Sequence, residues 1–379
     1  MAVKIIRQPK KIALVGSATS AAGLRAGQER APAALRAAGL ADRLRAAGFT
    51  VADLGDTSTQ LIQPDEEHPR ARNVPPILKS LNDLRPLVEV AVKSGALPLI
   101  LCGDSISVLA TIAGTRRYYR DVSLVYVDRD AGLNVPATSA SGFIDGMVVS
   151  HVIGRGAPEL VRFWGEPPLV KESDVILFGF ERLDPPEQQY LGSSRFRQYS
   201  SQAIAAQGGA ALAQTVLDRI QATKHQFVLH VDLDVISSEM FSAANLPGDG
   251  GLKLNEVREA LSVFAAHPNL AALDVAGYNP ELDPTGDGAR MVVDLLVEVL
   301  AGRMETGADS DTAAAAGAAA AETRLVSPAP SQTTLRPNIA PEISVPNASE
   351  STPSTPETES VANSEPDSPG PSGSDSILP

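Results

Sequence analysis

The chain has 379 residues, 43% of them hydrophobic, and a formal charge of −13 from 32 basic and 45 acidic residues. That balance argues against nucleic acid or an anionic membrane as partner, and no Lys/Arg run is interleaved with aromatics, which are only 4% of the chain. A single cysteine, Cys102, excludes an intrachain disulfide and a Cys-based zinc site.

Along the chain, Met1–Lys11 carries basic residues but no apolar stretch of signal-peptide length, and no later run approaches a membrane span. A soluble cytoplasmic protein is expected. Short runs rich in Val, Ile and Leu then alternate with segments of helical period. Lys11–Gly16 predicts a buried strand, Pro32–Ala47 a helix, Thr50–Leu54 a strand, Pro76–Lys93 a helix and Leu97–Cys102 a strand. Strands follow at Ser123–Asp128, Asp174–Gly179, Phe227–Asp232 and Ala271–Val275, with helices at Gly209–Thr223, Leu254–Ala265 and Gly288–Gly302. The alternation predicts a three-layer α/β/α domain over residues 1–303 with a mostly parallel sheet. From 304 to 379 the chain turns Ala-, Ser- and Pro-rich, holding 11 of the 29 prolines and 11 of the 45 acids, with Arg324 and Arg336 as its basic residues. A disordered acidic tail is expected there, either a solvated appendage or a docking or phosphorylation segment. The body is then only mildly acidic, with 34 acids against 30 bases.

In folds of this class ligands bind beyond the carboxyl ends of the strands. The residues there are Asp104 and Ser105, Asp128 and Asp130, Asp184 and Glu187, and Asp232 and Asp234, six of the eight being Asp. Asp232 and Asp234 sit two apart at a strand end and project from one face, as do Asp128 and Asp130. A lone Asp-x-Asp more often caps a helix or shapes a turn. Two such pairs at one sheet edge call for a counter-ion, which is either a hard divalent cation or a guanidinium, and Arg129 lies between Asp128 and Asp130.

Seven segments in order carry a family resemblance. They are Gly27–Pro32, Leu101–Ser105, Tyr126–Asn134, Ser141–Gly146, Gly179–Glu187, His230–Val235 with Leu246–Leu252, and Asp274–Pro280. Together they resemble the arginase and agmatinase (ureohydrolase) family over roughly residues 10–302. The resemblance implies guanidinium hydrolysis by two Mn²⁺ ions held by two His and four Asp. Two ions about 3.5–4 Å apart share, acidify and orient one water.

Carried over position by position, the ligand set is altered. Asp128, Asp232 and Asp234 are kept, Ser105 and Asp130 stand where the resemblance implies His, and Gly132 stands where it implies Asp. Asp145 replaces a loop His that moves protons, and Gly277 replaces the Glu that grips the guanidinium. Asn134, Ser141, Asp184 and Glu187 match residues that contact the amino-acid end of the substrate, although hydrogen bonds within loops and caps account for them equally well. One ion would keep only Asp128 and Asp232, too few for tight binding. The other would have Asp128, Asp130, Asp232 and Asp234, an oxygen set suited to Mg²⁺ or Mn²⁺.

Two expectations follow. One is a pseudoenzyme of ureohydrolase fold that lacks the binuclear manganese site and binds an arginine-like small molecule, a sensor or regulatory subunit; the resemblance implies a homo-oligomer, trimer or hexamer. The other is a hydrolase acting on the C–N bond of a linear amidine or amide, with one carboxylate-bound cation and Asp145 as general base. Of the five histidines only His230 shares a strand face with Asp232, and a buried, hydrogen-bonded role is the commoner one there. Cys102 beside an acidic loop is disfavoured as a nucleophile, and Gly248–Gly251 lacks the Lys-Ser/Thr of a phosphate loop.

Overall fold

A computed structural model describes residues 5–304. Residues 305–379, where a tail is expected, lie outside the described part. Eight parallel strands make one sheet: β1 Lys11–Ser17, β2 Thr50–Asp56, β3 Leu97–Cys102, β4 Val122–Val127, β5 Val175–Phe180, β6 Arg197–Ser200, β7 Gln226–Asp232 and β8 Leu270–Ala276, in the order β2-β1-β3-β8-β7-β4-β5-β6.

The inner strands are apolar on both faces, and their side chains divide with period two between two cores. Val125, Val127, Ile176 and Phe178 enter one core, while Leu124, Tyr126, Val175 and Leu177 enter the other. The helices are α1 Ala31–Ala37, α2 Leu40–Ala46, α3 Val74–Lys93, α4 Val108–Arg116, α5 Val148–Val152, α6 Pro158–Val161, α7 Pro185–Ser193, α8 Ser201–Gln207, α9 Gly209–Thr223, α10 Leu254–Ala266 and α11 over residues 287–304. Side chains of α1, α2, α9, α10 and α11 fill the first core, and those of α3 to α6 the second. The three-layer α/β/α expectation holds.

Three local features differ from the sequence reading. The helix expected over Pro32–Ala47 is two helices, because Gly39 takes φ +86° and ends the first. β2, expected to be buried, is largely exposed because it forms a sheet edge. β6, the opposite edge, is a polar Arg-Gln-Tyr-Ser strand that apolar patterning does not reveal. The arrangement puts the ends of β3, β8, β7, β4 and β5 side by side, and the site is built from the loops that follow them.

Candidate functional site

Strand register fixes the first layer of the site. β4 and β7 pair with Val127 opposite Val231, so Asp128 and Asp232 emerge as neighbours. Each opens a tight turn: the Asp130 amide donates to Asp128 Oδ1 at 2.7 Å, and the Asp234 amide to Asp232 Oδ1 at 2.9 Å. Oxygens of Asp128, Asp130 and Asp234 lie within 4.8 Å of one another. Asp232 turns aside, its Oδ2 accepting a 2.7 Å hydrogen bond from the Ser105 hydroxyl. The four Asp predicted as one oxygen set are thus brought to one place, with three of them forming the close group.

Burial pushes the Asp128 carboxyl well above the usual range, with the charges of Asp234 and Asp232 adding to it. Asp234 is raised in the same way, by burial and then by Asp232, against the pull of Arg182. Asp130 is raised by burial and pulled back by Arg182. Desolvation disfavours the charged form and like charges compound it.

The guanidinium that meets this cluster comes from Arg182, in the loop after β5. It grips Asp130 with two parallel hydrogen bonds of 2.8 and 2.9 Å and also reaches Asp234. Arg129, the sequence candidate, is buried beside the cluster without an ion pair to it: its backbone amide donates to Asp234 Oδ1 at 3.4 Å, its guanidinium donates to the Gly248 carbonyl at 2.8 Å, and its charge adds to the pull of Arg182 on Asp130 and Asp234. The sequence alone does not single out Arg182, because nothing in a loop sequence says which neighbouring strand end its side chain will reach. The available signal was a lone basic residue two positions before Asp184 in a loop that follows a strand.

Asp145 lines the same cavity. Its Oδ1 accepts from the Ile106 amide at 3.0 Å, and burial followed by the Asp104 charge pushes its carboxyl well up. Asp104 is raised to about 6 by burial, although the Thr19 hydroxyl and the Ala22 amide each donate to it at 2.9 Å and Gln28 donates as well. Gly277 follows β8 with φ +83°, and a Cβ there would lie 2.1 Å from Asp232 Oδ1. Gly132, at φ +62°, has its Cβ direction 3.2 Å from the Val149 amide nitrogen.

The residues expected at the substrate end line the same cavity, and they carry structural bonds. Glu187 accepts from the amides of Leu133 and Asn134 at 2.8 and 3.2 Å and from that of Asp184 at 2.9 Å, closing a capping box on α7. The Asn134 side-chain amide donates to Asp184 at 2.8 Å, and the Ser141 hydroxyl accepts from the Phe143 amide at 3.4 Å. His230 takes the buried role: Nδ1 is 2.6 Å from Asp274 Oδ1, and its ring stacks on Tyr126 at 4.8 Å. Cys102 is buried, and burial, with Asp274 behind it, pushes its thiol well up.

The cavity has a volume of about 460 Å³, with seven carboxylates and one guanidinium along its walls. An acidic cavity at the carboxyl edge of a parallel sheet, floored by two Asp-x-Asp turns, is the layout of a ureohydrolase-fold protein. The sequence matches the Arginase family over residues 10–302, and the chain belongs to that family.

Among its relatives, the arginase of Bacillus subtilis (strain 168) is 29% identical over 293 residues, which is 77% of this chain and 98% of that protein. Human mitochondrial arginase-2 is 29% identical over 296 residues, covering 76% of this chain and 83% of the relative. The crystal structure of the Bacillus subtilis arginase superimposes with a TM-score of 0.70 at 27% identity, covering 77% of this chain and 98% of the other. No described helix is long and apolar enough to cross a membrane.

Proposed function

We propose that this protein is a non-hydrolytic member of the Arginase family that binds a small cationic molecule in the acidic cavity. The observation that carries the reading is at Gly277. A guanidinium held for attack needs a carboxylate fork, and at Gly277 the direction a side chain would take is filled by Asp232, which Ser105 holds in place.

The donor set supports the same conclusion about metal. Ser105 spends its hydroxyl on Asp232, and Gly132 offers no ligand atom, so these residues do not suit a two-ion manganese centre. Seven carboxylates against one guanidinium favour an amine or guanidine as ligand, and the volume is ordinary for a small-molecule site. A second reading, one Mn²⁺ or Mg²⁺ ion serving hydrolysis of an amidine or amide with Asp145 as base, is supported by the close oxygens of Asp128, Asp130 and Asp234. The ion pairs of Arg182 with two of those three favour the first reading.

The test is incubation of the full chain with L-arginine or agmatine, with and without MnCl₂, with urea measured by colour reaction and binding by calorimetry. Saturable binding without urea is expected. Sustained urea release above a heat-denatured control would overturn the reading.

A further inference from the structure

Asp128, Asp130 and Asp234 hold carboxylate oxygens within 4.8 Å of one another, and Asp128 and Asp234 are buried. Like charges this close repel strongly in a site withdrawn from water, so such a group needs a cation beside it to stay ionised.

Arg182 is placed to be that cation. Nε and one terminal nitrogen take both oxygens of Asp130 at 2.8 and 2.9 Å, the same terminal nitrogen reaches Asp234, and the other donates to the Leu246 carbonyl at 3.2 Å. Every nitrogen of the guanidinium is engaged. Both oxygens of Asp130 and Oδ2 of Asp234 are taken by the guanidinium, so a divalent ion drawing on these carboxylates would have to displace Arg182 from them. The Leu246 bond adds a mechanical link, because Asn245 and Leu246 form one wall of the cavity and Arg129 holds the following turn through the Gly248 carbonyl.

We infer that Arg182 is the resident counter-ion of the carboxylate cluster, taking the place of a metal, and that it ties the charge state of the cavity floor to the 245–248 wall. This rests on the absence of the two-ion centre stated above, and not on the absence of hydrolysis. Arg182 is a positioning residue here: it sets the charge and shape of the cavity through Asp130, Asp234 and Leu246.

The test compares the wild-type full chain with Arg182→Met and Arg182→Lys. Each is stripped with EDTA and dialysed against MnCl₂, and metal content and thermal midpoint are then measured. Wild type should hold well under one Mn per chain, with the same midpoint in EDTA and in MnCl₂. Arg182→Met should melt roughly 5 °C lower in EDTA, because a half-buried pair has lost its cation. It should then take up one Mn per chain and recover its midpoint, since an ion that binds only the folded form stabilises it. Arg182→Lys keeps the charge and should take up no metal.

Near-stoichiometric Mn in wild type, with a midpoint that falls in EDTA, would overturn the inference. So would an Arg182→Met protein that neither loses stability nor binds Mn. If Arg182→Met does not fold, the wild-type arm decides alone. Wild type carrying Mn but releasing no urea sinks the counter-ion and leaves the non-hydrolytic role standing; urea release by metal-free wild type does the reverse.

Discussion

At Gly277 the backbone sits at φ +83°, a region that costs a residue with a Cβ about 1–3 kcal/mol. Space compounds the strain, since a Cβ would lie 2.1 Å from Asp232 Oδ1, and Asp232 is bonded to Ser105. Placing at this position the glutamate that the resemblance implies is therefore expected to fail. Gly277→Glu should lose at least about 2 kcal/mol of stability by thermal denaturation and release no urea from arginine. A variant as stable as wild type, or one that gains activity, would show that the loop relaxes and that Gly277 is not the obstacle. The carboxylates of this site were legible in the sequence because strand-end position and Asp-x-Asp spacing fix where Asp128, Asp130, Asp232 and Asp234 emerge. Their neutralisation was legible only in part: Arg129, adjacent in sequence, adds its charge while its guanidinium bonds the Gly248 carbonyl, whereas the direct ion pairs come from Arg182 on a different strand end.

At the scale of elements, α5 shows how a loop connection is pinned by one protonation state. His151 is buried; its Nδ1–H donates to the Met147 carbonyl at 2.8 Å, and its Nε2 accepts from the Ala157 amide at 3.0 Å, joining α5 to the start of α6. Protonation of Nε2 would break the bond from Ala157 while leaving the one to Met147, and burial depresses the folded pKa to about 4 from 6.5, against the pull of the Met147 carbonyl. The unfolded chain binds this proton more readily, so the stabilisation is complete above pH 6.5 and is lost as pH falls towards 4. At about 1.4 kcal/mol per pH unit the loss is on the order of 3 kcal/mol. The raised carboxyls of the cavity act with the opposite sign, so the measurement is a comparison: between pH 7 and pH 4.5, wild type should lose roughly 2–3 kcal/mol more than His151→Gln in urea denaturation. Parallel curves would refute the assignment. Elements of this kind were the hardest to read from sequence. The inner strands announce themselves by apolar runs, but α4 is buried on nearly every side and has no amphipathic stripe, and β6 is a short polar edge strand.

For the whole molecule, the question is which part of the chain the sheet needs in order to stand. The helix α11 brings Val292, Val293, Leu295, Leu296, Val299 and Leu300 into the first core, each no more than 3% exposed. Burying a side chain of this size stabilises by about 1.5–3 kcal/mol, so the helix as a unit contributes on the order of 10 kcal/mol. That is comparable to the roughly 5–15 kcal/mol that separates a folded domain from its unfolded chain. The buried Arg303 fastens its end, donating to the carbonyls of Ala265 and His267 at 3.1 and 3.4 Å. Beyond residue 304 the sequence has no apolar periodicity with which to extend that core. A chain ending at residue 304 should therefore melt within about 2 °C of the full protein, whereas one ending at residue 286 should be recovered unfolded or aggregated. Circular dichroism melts of the two truncations decide it. A stable 286-residue chain would mean that the sheet closes its first core without α11, and a marked loss at 304 would mean that later residues carry part of the fold.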